Sequence, residues 1–219
     1  METMLKIAVI VAAYLLGSIP TSVWVGKIFY GIDVREHGSG NAGATNTIRV
    51  LGLIPGISVF IVDVLKGYLA VRLLYLTDFY IPKTGMFINF QLFLGIAALL
   101  GHIFPIFAQF RGGKGVAVLS GVVFALHPYA TLIVFGIWIV SVLITRYVSL
   151  SSMIAGFSFP LVLIFIYRTT NPSLITFAFI LAILMLFTHQ KNIERLVKGE
   201  ESKFSLKKKV KTTQINPKQ

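Results

Sequence analysis

The chain has no cysteine among its 219 residues. That excludes a disulfide framework, thiolate chemistry and any metal site built on Cys. Charge is scarce too. Asp, Glu, Lys and Arg make up 13% of the chain, where an ordinary soluble domain carries about twice that. Acids are the scarcest, eight against 20 Lys and Arg. A net charge of +12 raises nucleic acid as a partner, but the basic residues fall between apolar runs and in the C-terminal tail. Loops that face an anionic inner leaflet have that pattern, and no nucleic acid partner is expected. Hydrophobic residues are abundant, at 56% with mean hydropathy +0.82. A water-soluble core cannot hide that much apolar surface, so lipid serves as solvent for much of it.

Apolar runs cover 7–26, 51–76, 86–110, 116–145, 153–167 and 173–187. A helix needs roughly 20 residues to cross a bilayer. The first run is too long for a signal-peptide core and has no A-x-A-like cleavage site, so it reads as a retained span. The fourth run exceeds one crossing, and His127-Pro128 interrupts it. It is either one kinked helix or two short ones with a tight turn, and charge separates these. Seven spans with the N-terminus outside place 15 Lys and Arg inside and three outside; six spans with the N-terminus inside give 12 against six. The positive-inside rule favours seven. The expected fold is an all-α polytopic membrane protein with seven transmembrane helices, N-terminus outside and C-terminus cytoplasmic. One membrane domain covers 1–202, and 203–219 forms a basic cytoplasmic tail expected to be disordered near anionic headgroups.

Seven spans bring four polar segments to one face: 27–50, 111–115, 146–152 and 188–219. The first holds Gly38-Ser39-Gly40-Asn41-Ala42-Gly43-Ala44-Thr45-Asn46 and Arg49. Its G-x-G-x-x-G spacing lacks the βαβ unit of a dinucleotide site. Backbone N–H groups beside Gly can still converge on an anion near a helix start. Ser39, Asn41, Thr45 and Asn46 add polar groups, and Arg49 can grip a phosphate bidentately. The second is Arg111-Gly112-Gly113-Lys114-Gly115, which lacks the spacing and the Ser or Thr of an ATPase loop. Lys114 remains a point charge for phosphate, while His102 just before it serves either packing or catalysis. The third carries Ser149, Ser151 and Ser152, read as more than a helix cap. In the fourth, His189 and Asn192 sit three apart on one helical face, and His189 suits acid–base use. Asp63 and Lys66, inside the second span, pair with each other or meet substrate.

Gly17-Ser18-Ile19-Pro20, Gly38 to Asn41 with Thr45-Asn46, Asp63 to Gly67, Gly101 to Pro105, Gly112 to Gly115, and His189 with Asn192 together resemble the PlsY family. That family is the bacterial acyl-phosphate:glycerol-3-phosphate acyltransferase, and the resemblance runs in order from about residue 14 to 200. It implies a multi-pass enzyme of the bacterial inner membrane with its active site on the cytoplasmic face. The enzyme moves a fatty acyl group from acyl phosphate to glycerol 3-phosphate, giving lysophosphatidic acid and phosphate for phospholipid synthesis. It needs no metal or other cofactor, and the soluble enzyme that makes acyl phosphate is an implied partner. Family substrate positions fall on Ser39, Arg49, Lys114, His189 and Asn192, and more loosely on Ser149 and Ser152. His189, Ser39 and Asn41 are the expected catalytic groups; Arg49, Lys114, Asn192, Thr45, Asn46, Ser149 and Ser152 are the expected phosphate ligands. Acyl phosphate is already activated, so direct transfer is expected, with the base either His189 or the phosphate of the acceptor. The acyl chain lies between helices, reached from the bilayer. The alternative from another class is a membrane transporter for an organic phosphate, with Asp63 and Lys66 lining its path.

Overall fold

A computed structural model describes residues 1–204. Ten α-helices are present among them and no strand: α1 Glu2–Ser18, α2 Thr21–Tyr30, α3 Ala44–Leu51, α4 Leu53–Arg72, α5 Gly85–Ile103, α6 Val116–Leu126, α7 Pro128–Thr145, α8 Val148–Leu161, α9 Pro172–Thr188 and α10 Gln190–Val197. Most of the expected basic tail lies outside the described residues.

The helix boundaries follow from local chemistry. Thr84, His127 and Asn171 cap α5, α7 and α9 with side-chain acceptors, and Pro128 and Pro172 take first-turn positions that need no N–H. Pro160 lies inside α8 and denies one rung of the ladder, after which Val162–Ile166 relaxes into a wider π turn.

The run 7–26, read from sequence as one span, is broken at Ile19-Pro20, and α1 and α2 meet at a 43° bend. Hydropathy averages across such a break without registering it. Two charges in α4 close the gap. Lys66 Nζ donates to the carbonyl of Ile19 at 2.8 Å and pairs with Asp63 at 2.9 Å, and Asp63 accepts from the Thr21 hydroxyl at 2.9 Å. Of the two readings left open for this pair, the structural one is what the geometry displays. The groups freed by Pro20 are satisfied inside the protein, as they must be away from water.

α6 and α7 are separate helices joined at His127. A straight run through that residue would carry Trp138 about 33 Å from Val116 at 1.5 Å per residue. Both instead line one cavity, so the two helices fold back on each other. Small residues let other pairs cross closely. A Cβ on Gly17 or Gly101 would strike the backbone of the facing helix in the α1–α5 pair, as one on Gly67 or Gly121 would between α4 and α6.

By length and composition, α5, α7, and α8 with its π turn can each cross a membrane, and the bent pairs α1–α2 and α9–α10 raise the number to five. α4 has the length but carries Asp63, Lys66 and Arg72, and α6 has 11 residues. The outer faces are greasy throughout. Leu143 and Ile144 on α7 are 73% and 77% exposed, an arrangement suited to lipid and costly in water.

Candidate active site

At one end of the bundle, the loop before α6, the start of α8 and the α9–α10 junction converge. Lys114 Nζ donates to Asn192 Oδ1. The amide of Asn192 donates from its other end to Glu201 Oε1 at 2.6 Å, and the hydroxyl of Ser149 donates to the same oxygen at 2.6 Å. Arg195 Nε donates to Glu201 Oε2 at 2.9 Å. A short basic and amide cluster is thus strung through one carboxylate. Burial would raise the Glu201 carboxyl, but the bonds from Ser149, Asn192 and Arg195 outweigh it and hold it below the usual carboxylate range.

Lys114 makes no ion pair among the described residues. Burial pulls its ammonium down to about 8, the nearby Glu201 carboxylate pulls the other way, and Arg195 and Arg49 add to the fall. Three cations therefore share one field with one carboxylate.

His189 sits where α9 ends and α10 turns away by 60°. Its Nδ1 lies 2.8 Å from the carbonyl of Met185. A carbonyl can only accept, so Nδ1 carries the proton and Nε2 keeps its lone pair. Burial, with Lys114 nearby, lowers the ring to about 4, so it is neutral at pH 7. A neutral imidazole with a free Nε2 can receive a hydrogen bond from a hydroxyl, but holding that proton as a cation is unfavourable here.

The Gly-rich first segment is partly a loop and partly helix α3. Asn46 is buried, and its side chain is committed: Nδ2 donates to the carbonyls of Val34 and His37, and Oδ1 accepts from the Ser39 N–H. It shapes the loop and leaves nothing over for a ligand. Gly38 and Gly40 take positive φ, at 63° and 71°, which lets the chain coil around that amide. Ser39, Thr45 and Arg49 stay exposed, and Asn41 is half-buried. No side chain caps α3, so its first-turn N–H groups are left to other partners.

The N–H groups of Gly112 and Gly113 are taken by the carbonyls of Ile103 and His102, so they are not free to cradle an anion. These glycines serve close approach to the end of α5, since a Cβ on either would meet His102. Ser149, Ser151 and Ser152 lie in the first turn and a half of α8. Ser151 and Ser152 donate back to the carbonyls of Tyr147 and Val148, and only Ser149 aims at the cluster. Ser152 also accepts from the indole of Trp138 at 3.3 Å, at the mouth of the apolar cavity.

The family model for glycerol-3-phosphate acyltransferases matches residues 7–199. The chain belongs to the glycerol-3-phosphate acyltransferase family. A member from Fusobacterium nucleatum is 43% identical over 195 residues, which cover 89% of this chain and 96% of that one. Another, from Chlorobaculum tepidum, is 37% identical and covers 93% of this chain and 98% of its own. The crystal structure of PlsY, an integral membrane glycerol 3-phosphate acyltransferase in its glycerol 3-phosphate form, superposes with a TM-score of 0.79 at 37% identity, over 91% of this chain and 96% of that one. Its lysophosphatidic acid form gives 0.78.

In this member of the acyltransferase family, Glu201 and Arg195 are the site residues that sequence reasoning passed over. Gly199, at φ 70°, turns the chain after α10, and the N–H groups of Glu200 and Glu201 both bond the carbonyl of Arg195. The available signal was an acidic pair just after a Gly in a tail otherwise rich in Lys.

Proposed function

We propose that the chain transfers a fatty acyl group from acyl phosphate to glycerol 3-phosphate, giving lysophosphatidic acid and phosphate in phospholipid synthesis. The observation that carries this is the surplus of cations at one end of the bundle, Lys114 with Arg49 and Arg195 against the single carboxylate of Glu201, directly above an apolar cavity of about 270 Å³. Two phosphate-bearing molecules fit that charge, and one acyl chain fits that cavity.

Arg49 and Lys114 hold phosphate, Arg49 as a fork and Lys114 as a point charge. The uncapped start of α3, with Thr45, adds N–H groups to the same anion. Asn46 acts through the shape of the loop. Ser39 and Asn41 stabilise the carbonyl oxygen as charge builds on it. Ser149 and Asn192 fix the acceptor, and Ser152 marks where head meets tail. The acceptor hydroxyl attacks the carbonyl carbon, the bond to the phosphate oxygen breaks, and phosphate leaves with that electron pair. His189 Nε2 orients the hydroxyl. The proton passes to a phosphate dianion, whose pKa of about 6 makes it a better acceptor than a ring held at about 4. No acyl-enzyme is needed because the donor is already activated.

Seven crossings with the N-terminus outside place this site on the cytoplasmic side of the bacterial inner membrane, where a soluble enzyme can supply acyl phosphate. α4 and α6 then complete the count, α6 in a locally thin region. The rival reading, a transporter for an organic phosphate, needs open charges along a path, and Asp63 and Lys66 are spent on each other and on α1–α2.

The test uses purified chain in detergent with labelled glycerol 3-phosphate and either palmitoyl phosphate or palmitoyl-CoA. The expected result is lysophosphatidic acid with equimolar phosphate from the first donor and none from the second. Efficient use of palmitoyl-CoA sinks the donor assignment. Because the chain has no Cys, single Cys replacements at Pro128 and Ser202 report topology; labelling from the same side rules out seven spans.

A further inference from the structure

The apolar cavity beneath the site has walls that are graded in depth. Its upper rim is Ser152, one turn below Ser149 on α8, and Met185, whose backbone carbonyl accepts from His189. Phe124, Thr131 and Phe159 line it too, each about 10–12 Å along its helix from Val116, Trp138 and Ser152 respectively. Along α8, Gly156 is about 6 Å below Ser152, and Phe159 about 10 Å below it. The cavity is well above the 150 Å³ of an apolar cavity able to take a benzene ring, which suits a stretch of alkyl chain.

Gly156 is the glycine in that wall. The other helix glycines at crossings are required there: side chains on Gly17, Gly67, Gly101 or Gly121 would run into the backbone of a facing helix. At Gly156 the atoms nearest to a Cβ belong to the side chain of Met185, at 3.5 and 3.6 Å, which is ordinary contact. No positive φ calls for glycine there either. Gly156 also lies four residues before Pro160, so its carbonyl is the one that loses its helical N–H partner and faces the proline ring; that explains local bending of α8 but leaves room for a side chain at 156. What the missing side chain does is keep the middle of the cavity open between the rim and Phe159.

Resting on the acyl-transfer reading above, we propose that Gly156 and Phe159 set the length of acyl chain this enzyme accepts. Gly156 lets the chain pass and Phe159 stops it. Phe159 is buried and fixed, 4% exposed, so the floor does not yield readily. A side chain at 156 projects into the path of the lower methylenes and leaves the carboxyl-phosphate head untouched. A long donor is penalised and a short one is not.

The experiment measures kcat/KM for palmitoyl phosphate and for decanoyl phosphate on the full chain, with glycerol 3-phosphate saturating. Gly156→Leu is expected to lower the palmitoyl-to-decanoyl ratio about tenfold or more, as methylene-scale exclusion in apolar pockets does. Gly156→Ala, which the packing admits, is expected to lower it about fourfold, the worth of roughly one buried methylene. Gly136→Leu on α7, where a Cβ has no neighbour within 4 Å, is expected to leave the ratio alone. Phe159→Leu is expected to raise the stearoyl-to-palmitoyl ratio. If Gly156→Leu fails to fold, the Gly156→Ala ratio decides. An unchanged ratio in a folded Gly156 variant, or an equal loss with both donors, overturns the proposal while leaving acyl transfer intact. A wild-type chain inert toward every acyl phosphate overturns both.

Discussion

Lys66 is buried and Lys114 half-buried in a chain poor in charge, and the protein treats them in opposite ways. Lys66 is 4% exposed and closed off: a carboxylate at 2.9 Å, a carbonyl at 2.8 Å, and a threonine on the other side of that carboxylate. Its charge is cancelled within one turn of α4. Among the described residues Lys114 meets only the amide oxygen of Asn192, and the nearby carboxylate, Glu201, spends its bonds on Ser149, Asn192 and Arg195. A partly buried charge without a counter-ion is costly. A fold that keeps one there, beside Arg49 and Arg195, is poised for an anion from outside. The pair in α4 ties α1–α2 to α4, while the cluster around Lys114 is the one proposed to receive substrate.

The largest expected effect breaks the closed pair. Asp63→Ala strands Lys66 and should cost about 3–5 kcal/mol of stability, seen as a lower melting temperature and poor yield. Turnover per folded molecule should survive. Replacing both partners, Asp63→Asn with Lys66→Met, should recover much of the loss, because the unpaired charge is gone. If the double variant folds and turnover is abolished, the pair touches substrate and the contrast fails.

The open lysine should show the reverse. Lys114→Ala should lose about 10²–10³ in kcat/KM, in line with removing one preorganised electrostatic contact, and keep or gain melting temperature. Its pH behaviour sharpens the point. With its ammonium lowered to about 8, Lys114 loses charge above that pH, so kcat/KM should fall there. Stability should move the other way. Between about 8 and the ordinary lysine value of about 10.5 the unfolded chain binds a proton that the folded one does not, so this group makes stability rise with pH. Lys114→Arg should carry the activity limb to higher pH, since guanidinium stays charged.

His189 offers a smaller effect. His189→Ala should raise KM for glycerol 3-phosphate about tenfold with a modest change in kcat, because the ring orients a hydroxyl and does not take its proton. Loss of about 10²–10⁴ in kcat, with the acid limb of the pH profile gone, would make it the base instead.

Much of the arrangement was readable beforehand because it is local. Apolar runs located the long helices, and His127-Pro128 with the charge count located the α6–α7 break. Ile19-Pro20 carries the same signal and was overlooked, because the run 7–26 already had the length of a crossing. Lys114, Asn192, His189 and Ser149 do converge. The remainder was hidden because it is non-local. Nothing near Gly112 says that its N–H is taken by Ile103, nor near Asn46 that its amide is spent on Val34 and His37. Glu201 reaches the site only through the turn at Gly199, and the cavity exists only where five helices meet.

The sharpest test of the contrast is equilibrium binding of glycerol 3-phosphate to purified, folded protein. The account predicts saturable binding by the wild type, at least about tenfold weaker binding by Lys114→Ala, a shift of about 1.4 kcal/mol, and wild-type affinity in the Asp63→Asn, Lys66→Met double variant. Equal affinity in the wild type and Lys114→Ala, or a loss confined to the double variant, would contradict it.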